Sequence, residues 1–303
     1  MYKRQALDER IILIEKENGG GAGEARNAGI CRASSPFLCF IDSDDWIEKT
    51  MLEHMRTAQQ EKDYDIVICG YHSIVDENEK SYNFDAIYKK EELIGQKAVR
   101  DYFVKHYPEG MVGYPWNKMY RAGLIKDSNI QFPKMRRLED GIFNTEVFER
   151  AQSCRVLDEA LYYYRVGGQV EMRKLPKDFY SLVEEFVLQY YGKLEKWGYN
   201  IKENEGPILF YFLNDFVCCL ENICYGGNKA SIKEQKKYFN QLRNKKLVIA
   251  MMQKGRNVPR YSRTILNLFE KGADVRLRAA VNVKVLLKLK LSRAFLVLKR
   301  KYN

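Results

Sequence analysis

Asp42-Ser43-Asp44-Asp45 places three carboxylates within four positions, directly behind the apolar run Phe37-Leu38-Cys39-Phe40-Ile41 and just before Trp46. Acids this close repel one another and resist leaving water, so they persist where solvent reaches them or where a cation lies among them. With oxygen ligands only and no histidine beside them, the ion such a site suits is Mg2+ or Mn2+ rather than Zn2+. A purely local alternative is an Asx-rich turn capping the helix that follows Trp46. Asp-x-Asp also suits an aspartyl-phosphate nucleophile. Asp45-Trp46, however, stands where that chemistry asks for a hydroxyl residue.

Three further stretches carry groups with chemical potential. Glu139-Asp140 opens a helix, where the helix dipole favours acids whether or not they act in catalysis. The glycine-rich segment 18–29, with Gly19 and Gly20 at its start, also opens a helix. Free N–H groups at such a start can cradle a phosphate, or the glycines can simply make a flexible turn. Arg26, one turn in, is placed to reach an anion or to form an ordinary surface ion pair. Segment 113–121, with Trp116 at its centre, mixes aromatic and polar groups as pocket walls do and as packed cores also do.

The elements that hold these groups read as an α/β domain. A continuous apolar run ending in a turn is the pattern of a strand buried on both faces, and ligands collect at the carboxyl ends of such strands. Strands over 10–15, 37–41 and 65–70 alternate with helices over 21–33 and 47–61, which predicts a parallel half-sheet with the carboxylates at the end of its middle strand. The strand at 10–15 carries Ile11, Ile12, Leu13 and Ile14 and wants neighbours on both sides. That points to sheet lying upstream of Met1. Residues 75–88 read as loop or hairpin, 91–107 as helix, 136–151 as helix, and 156–166 as a turn and strand with Tyr162 and Tyr164 on one face. From Lys177 the chain turns helical, over 178–197, 207–225, 231–245 and 261–272, so the expected division is 1–172 and 173–303.

Composition sets the outer bounds. A hydrophobic content of 46% with 13% aromatics excludes wholesale disorder. The net charge of +11 is uneven, with 17 Lys/Arg against two acids in residues 241–303. Seven cysteines without a CxxC argue against a disulfide framework and fit a reducing cytosol. Residues 1–5 do not begin a signal peptide, and no uninterrupted apolar run reaches the ~20 residues of a membrane span. The end, 281–302, reads as a basic amphipathic helix. It is expected either to lie peripherally on an anionic membrane face or to close the helical region. Nucleic acid is not the expected partner of this tail; steep salt-dependent binding to any DNA would mark that alternative.

Taken together, these stretches resemble the family 2 glycosyltransferases of GT-A fold. Asn18-Gly19-Gly20 with Ala25-Arg26-Asn27-Ala28-Gly29 is similar to the family's glycine turn and helix, and Asp42-Ser43-Asp44-Asp45-Trp46 to its DxD segment. Trp116-Asn117-Lys118 with Tyr120 resembles a mid-domain signature, Glu139-Asp140 with Phe143 the acceptor-side acidic motif, and Leu161-Tyr162-Tyr163-Tyr164-Arg165 a following strand. The resemblance covers about residues 5–170. It implies a nucleotide-diphosphate sugar as donor, a glycan or lipid-linked hydroxyl acceptor, and inversion at the anomeric carbon. Asp44, helped by Asp42, would hold Mn2+ or Mg2+ against the diphosphate. Gly19, Gly20, Arg26 and Asp42 would contact the donor, Glu139 and Trp116 would line the acceptor side, and Asp140 would be the general base.

Two departures accompany the likeness. The family's opening strand–turn–strand unit, which holds the nucleobase, is absent, so the sequence reads as an incomplete GT-A domain that binds donor poorly. Many members also carry a histidine after the tyrosine strand as an additional metal ligand, whereas segment 166–170 has none. A non-catalytic remnant serving as an interaction module is the alternative expectation.

Overall fold

A computed structural model describes residues 8–16, 20–77, 80–135, 137–166, 179–224, 231–254 and 258–290. The chain divides into two compact units, Met1–Val166 and Gly167–Asn303.

The first unit is an α/β layer structure. Its elements run α1 (Ala22–Arg32), β1 (Phe37–Cys39), β2 (Trp46–Ile47), α2 (Met51–Lys62), β3 (Ile66–Glu77), β4 (Lys80–Ala86), β5 (Glu91–Ile94), α3 (Gln96–His106), β6 (Lys118–Arg121), α4 (Ala122–Asp127), α5 (Glu139–Arg150) and β7 (Ser153–Val166). The strands form one sheet in the order β1-β6-β3-β7-β2, with β4 beside β3 and β5 beside β7. The sheet is mixed. Among the described strands only β3 and β7 pair in parallel, and the remaining pairs are antiparallel. The parallel half-sheet expected from the alternation of strands and helices is therefore confined to one pair, because β6, unread in the sequence, inserts between β1 and β3 and runs against both.

Two further expectations change. Residues 11–14 form no strand and stay exposed, from 43% at Ile14 to 57% at Ile12. A strand exists by pairing its backbone groups, and no described strand lies beside this run. Glu91–Ile94 is β5 rather than the first turn of a helix. Gly95, at φ +90, breaks the chain there, a turn that costs a residue with a side chain far more than glycine. The helix then starts at Gln96.

Both faces of the sheet are covered. One carries Met51, Met55 and Ala58 of α2 packed on Val67, Cys69, Met119, Leu157, Leu161 and Tyr162. An aromatic cluster of Phe40, Phe132, Phe143 and Tyr120 anchors the start of α5, with Phe132 and Phe143 stacked at 3.9 Å between ring centroids. Phe143 is fully buried. Replacing it with alanine is expected to cost about 3–5 kcal/mol by the transfer and cavity terms together. A urea titration of Phe143→Ala would show this as a lowered midpoint with little change in slope.

The second unit is helical: α6 (Phe179–Lys196), α7 (Ile201–Cys224), α8 (Ile232–Arg243), α9 (Lys246–Lys254), α10 (Arg260–Glu270) and α11 (Asp274–Lys290). Pro207, read in the sequence as a helix start, sits inside α7. Burial of Ile208, Leu209, Phe212, Leu213 and Phe216 on the following turns outweighs the proline's local penalty. α7 is long and apolar enough to cross a membrane, but 61% of its most apolar window is buried within the protein, as in the core helix of a globular unit. α11 begins seven residues before the expected position and buries Leu277 and Val281. The rest of the expected basic helix, 291–302, lies outside the described residues.

Candidate active site

The carboxylate turn leaves β1 and is held by β7. Asp45 N donates to Asp42 O at 3.1 Å, closing the turn. The Tyr162 hydroxyl accepts from Asp42 N at 3.1 Å and donates to the Asp45 carboxylate at 2.8 Å, and Arg165 N donates to the other Asp45 oxygen at 2.8 Å. Burial raises the Asp45 pKa against the pull of these two donors. Asp45 is thus a fastening. Asp44 is exposed, and no hydrogen bond or ion pair among the described residues engages it. The capping alternative fails on geometry. The two-residue β2 separates the turn from α2, whose Thr50 cap makes no side-chain bond.

Arg26 joins the two acidic motifs. Nearly buried at 11% side-chain exposure, it donates to Asp42 at 2.6 Å and to Asp140 at 2.5 Å, with Glu139 at 4.0 Å. Its guanidinium lies over the Phe132 ring, 5.3 Å from the centroid. Asn27, the next residue of α1, fixes that ring's segment by exchanging two 2.9 Å bonds with the backbone of Phe132. Burial alone would lower the Arg26 pKa, but Asp140, Asp42 and Glu139 more than reverse this and hold it charged.

Asp140 occupies the first turn of α5 behind Leu138, a non-glycine residue at φ +69. Backbone in that region costs about 1–3 kcal/mol and is kept where the surroundings over-determine it. Burial pushes the Asp140 carboxyl up to about 7, opposed by Arg26 and Lys118 and assisted by Glu139 and Asp42. Its side chain still keeps 26% of its surface open. One turn on, the Asn144 amide donates to Asp140 O and Gly113 O and accepts from the Tyr120 hydroxyl.

The structure thus brings Arg26, Asp42, Glu139 and Asp140 into one cluster, with Asp44 two positions beyond Asp42. Gly19 lies outside the described residues. Gly20 precedes α1 beneath the Glu24 carboxylate, which sits at the helix start and pairs with Lys16 and Lys134. Trp116 is 2% exposed and stacked on Tyr114, Tyr162 and Tyr164, so its ring packs the core and offers an acceptor almost no surface. Sequence reasoning missed the parts played by Tyr162, Asn144 and Lys118. The one available signal was Tyr162's inward register on its strand.

Among the described residues no three or more His, Cys, Asp or Glu gather as metal ligands. Asp44 and Asp42 are the residues that would meet a divalent ion on the carboxylate turn. These are hard oxygen donors on a solvent-reaching turn, and that set fits Mg2+ or Mn2+ completed by phosphate oxygens and water. The cysteines on the sheet beside the turn, Cys39 and Cys69, are no nucleophiles, since burial pushes both thiols up to about 12.

Residues 2–128 match the model of the glycosyl transferase family 2. The putative glycosyltransferase EpsH of Bacillus subtilis (strain 168) is 31% identical over 255 residues, which are 80% of this chain and 68% of that protein. The poly(ribitol-phosphate) beta-N-acetylglucosaminyltransferase TarS of Staphylococcus aureus (strain Mu50 / ATCC 700699) is 26% identical over 79% of this chain and 39% of its own. A crystal structure of S. aureus TarS residues 1–349 with UDP-GlcNAc superposes with a TM-score of 0.55 at 20% identity, covering 90% of this chain and 74% of that one. At that identity the likeness carries the GT-A fold.

Proposed function

The chain belongs to the family 2 glycosyltransferases, and from that premise we propose that it transfers a sugar from a nucleoside-diphosphate sugar to a hydroxyl acceptor, with Asp140 as general base and inversion at the anomeric carbon. The observation that carries this reading is the Arg26 bridge, which sets the turn of Asp42 and Asp44 and the acid at the start of α5 on two arms of one guanidinium. A displacement needs its leaving group and its base held together on opposite sides of the reacting carbon. Arg26 would tie the two together through its bonds to Asp42 and Asp140.

Asp44, with Asp42, would hold Mg2+ or Mn2+ on the donor diphosphate, where the ion stabilises charge on the leaving group. Asp42 also fixes Arg26 by its 2.6 Å bond. Asp140 takes the acceptor proton, and Glu139, 14% exposed and 4.0 Å from Arg26, borders the acceptor side. UDP is the nucleotide favoured by the TarS complex, and a polyol-phosphate or glycan the acceptor class favoured by the activities that name TarS and the poly(ribitol-phosphate) beta-glucosyltransferase of Bacillus spizizenii (strain ATCC 23059 / NRRL B-14472 / W23). The assembled cluster supports catalysis over a purely binding role.

Proton NMR of the product formed from an α-linked UDP-sugar tests the reading. A β-linkage is expected, and an α-linkage would overturn both inversion and the base. The pH dependence adds a second check. Asp140 acts as carboxylate, so kcat/KM should rise with pH through about 7 and stand about tenfold lower at pH 6 than on the plateau. A rate profile flat from pH 5 to 8 would contradict it.

A further inference from the structure

Lys118 is the residue that the proposed chemistry leaves unused and that the fold spends most on hiding. It is fully buried at the start of β6, yet among the described residues no carboxylate pairs with it. Its ammonium donates instead to Tyr114 O at 2.5 Å, Asn117 Oδ1 at 2.8 Å and Met111 O at 3.4 Å. A neighbouring carbonyl is held as well: Gly113 O accepts from Asn144, whose Oδ1 takes the Tyr120 hydroxyl proton. Three carbonyls of segment 111–115 therefore turn inward onto donors from β6 and α5. The α5 donor, Asn144, is one turn from Asp140 and bonds its backbone. A neutral side chain would leave carbonyls unpaired in the interior, and an isolated buried ammonium is costly. A structure that retains one has a use for the charge or for the three donors.

Resting on the reading of Asp140 as base, we propose that Lys118 is its positioning residue: the buried ammonium gathers segment 111–115 against α5, and its positive charge favours the ionised carboxylate of Asp140. The groups that set that carboxylate's ionisation are Arg26 from α1, Asp42 from the turn after β1, Glu139 beside it on α5, and Lys118 and Tyr120 from β6. Of the two cations, Arg26 is also held by Asp42 at 2.6 Å, whereas Lys118 is fully buried. Burial lowers the Lys118 pKa to about 7, and the Lys118 charge in turn pulls the Asp140 pKa down against that carboxyl's own burial.

The test is the pH profile of UDP release from UDP-N-acetylglucosamine with Mn2+, water serving as acceptor. Lys118→Met should move the acidic limb upward by about half a unit or more and reduce turnover at pH 7 severalfold, while KM for the donor holds. Lys118→Arg, which keeps the charge, should return the limb toward wild type. A purely structural lysine would change expression or thermal midpoint and leave the limb in place, and an unshifted limb in folded Lys118→Met overturns the inference. If that variant does not fold, carbon-13 titration of Asp140 in Lys118→Arg decides: its cation does not titrate, so the carboxyl is expected to lose its proton at lower pH than in the unaltered protein, and an unchanged midpoint overturns the inference. Loss of turnover in Asp140→Asn together with an unshifted Lys118→Met limb removes the inference and leaves the base. Retained turnover in Asp140→Asn removes both.

Discussion

Asp140→Asn is expected to lower turnover by about 10²–10⁴-fold, the usual share of a positioned general base, while UDP affinity stays within about twofold. The amide keeps the size of the side chain and one acceptor for Arg26, so the loss falls on proton transfer rather than on assembly of the site. There is a stability counterpart. The folded-state pKa of Asp140 lies above its ordinary 3.8. The contribution of this group to stability is therefore fully present below about 3.8 and is lost as pH rises through about 7. The protein gains activity over the same interval in which this residue costs it stability, as expected of a carboxylate kept for chemistry. Calorimetry with UDP alongside single-turnover rates for the variant separates the two effects.

Alanine at Asp44 and alanine at the adjacent Asp45 should fail in opposite ways. Asp44 is exposed and unengaged among the described residues, so Asp44→Ala should leave the thermal midpoint unchanged and reduce Mn2+-dependent activity at least about a hundredfold, since several kcal/mol of leaving-group stabilisation would go with the ion. Asp45 accepts from the Tyr162 hydroxyl and from Arg165 N. Removing it strands two donors at a cost of about 1–3 kcal/mol, visible as a lower midpoint, with activity falling only as far as the turn loosens. A midpoint loss at Asp44 with none at Asp45 would exchange these roles.

The acids of the site were legible because carboxylates crowded behind an apolar run have few physical explanations. Arg26 was legible as a residue near an anion, but not as the bridge between two motifs nearly a hundred positions apart, since a sequence does not place Asp42 beside Asp140. The strand β6 escaped because its sequence, Lys118-Met119-Tyr120-Arg121, shows neither alternation nor an apolar run. Its first residue, a lysine, is buried among backbone carbonyls that accept from its ammonium. Residues 11–14 misled in the opposite direction, since an apolar tetrad earns strand structure only from a neighbour. Trp116 shows the same limit for side chains: an aromatic in a polar segment reads equally as wall or core, and here the rings of Tyr114, Tyr162 and Tyr164 make it core. Strand direction was beyond reach too, because buried parallel and antiparallel strands share one pattern.

The most direct measurement is anomalous diffraction from crystals soaked in UDP and MnCl2. The account expects a manganese peak within coordination distance of the Asp44 carboxylate, bridging to the UDP diphosphate, on the side of Arg26 away from Asp140. UDP bound with no metal at Asp44, or seated apart from the Arg26 cluster, would contradict it.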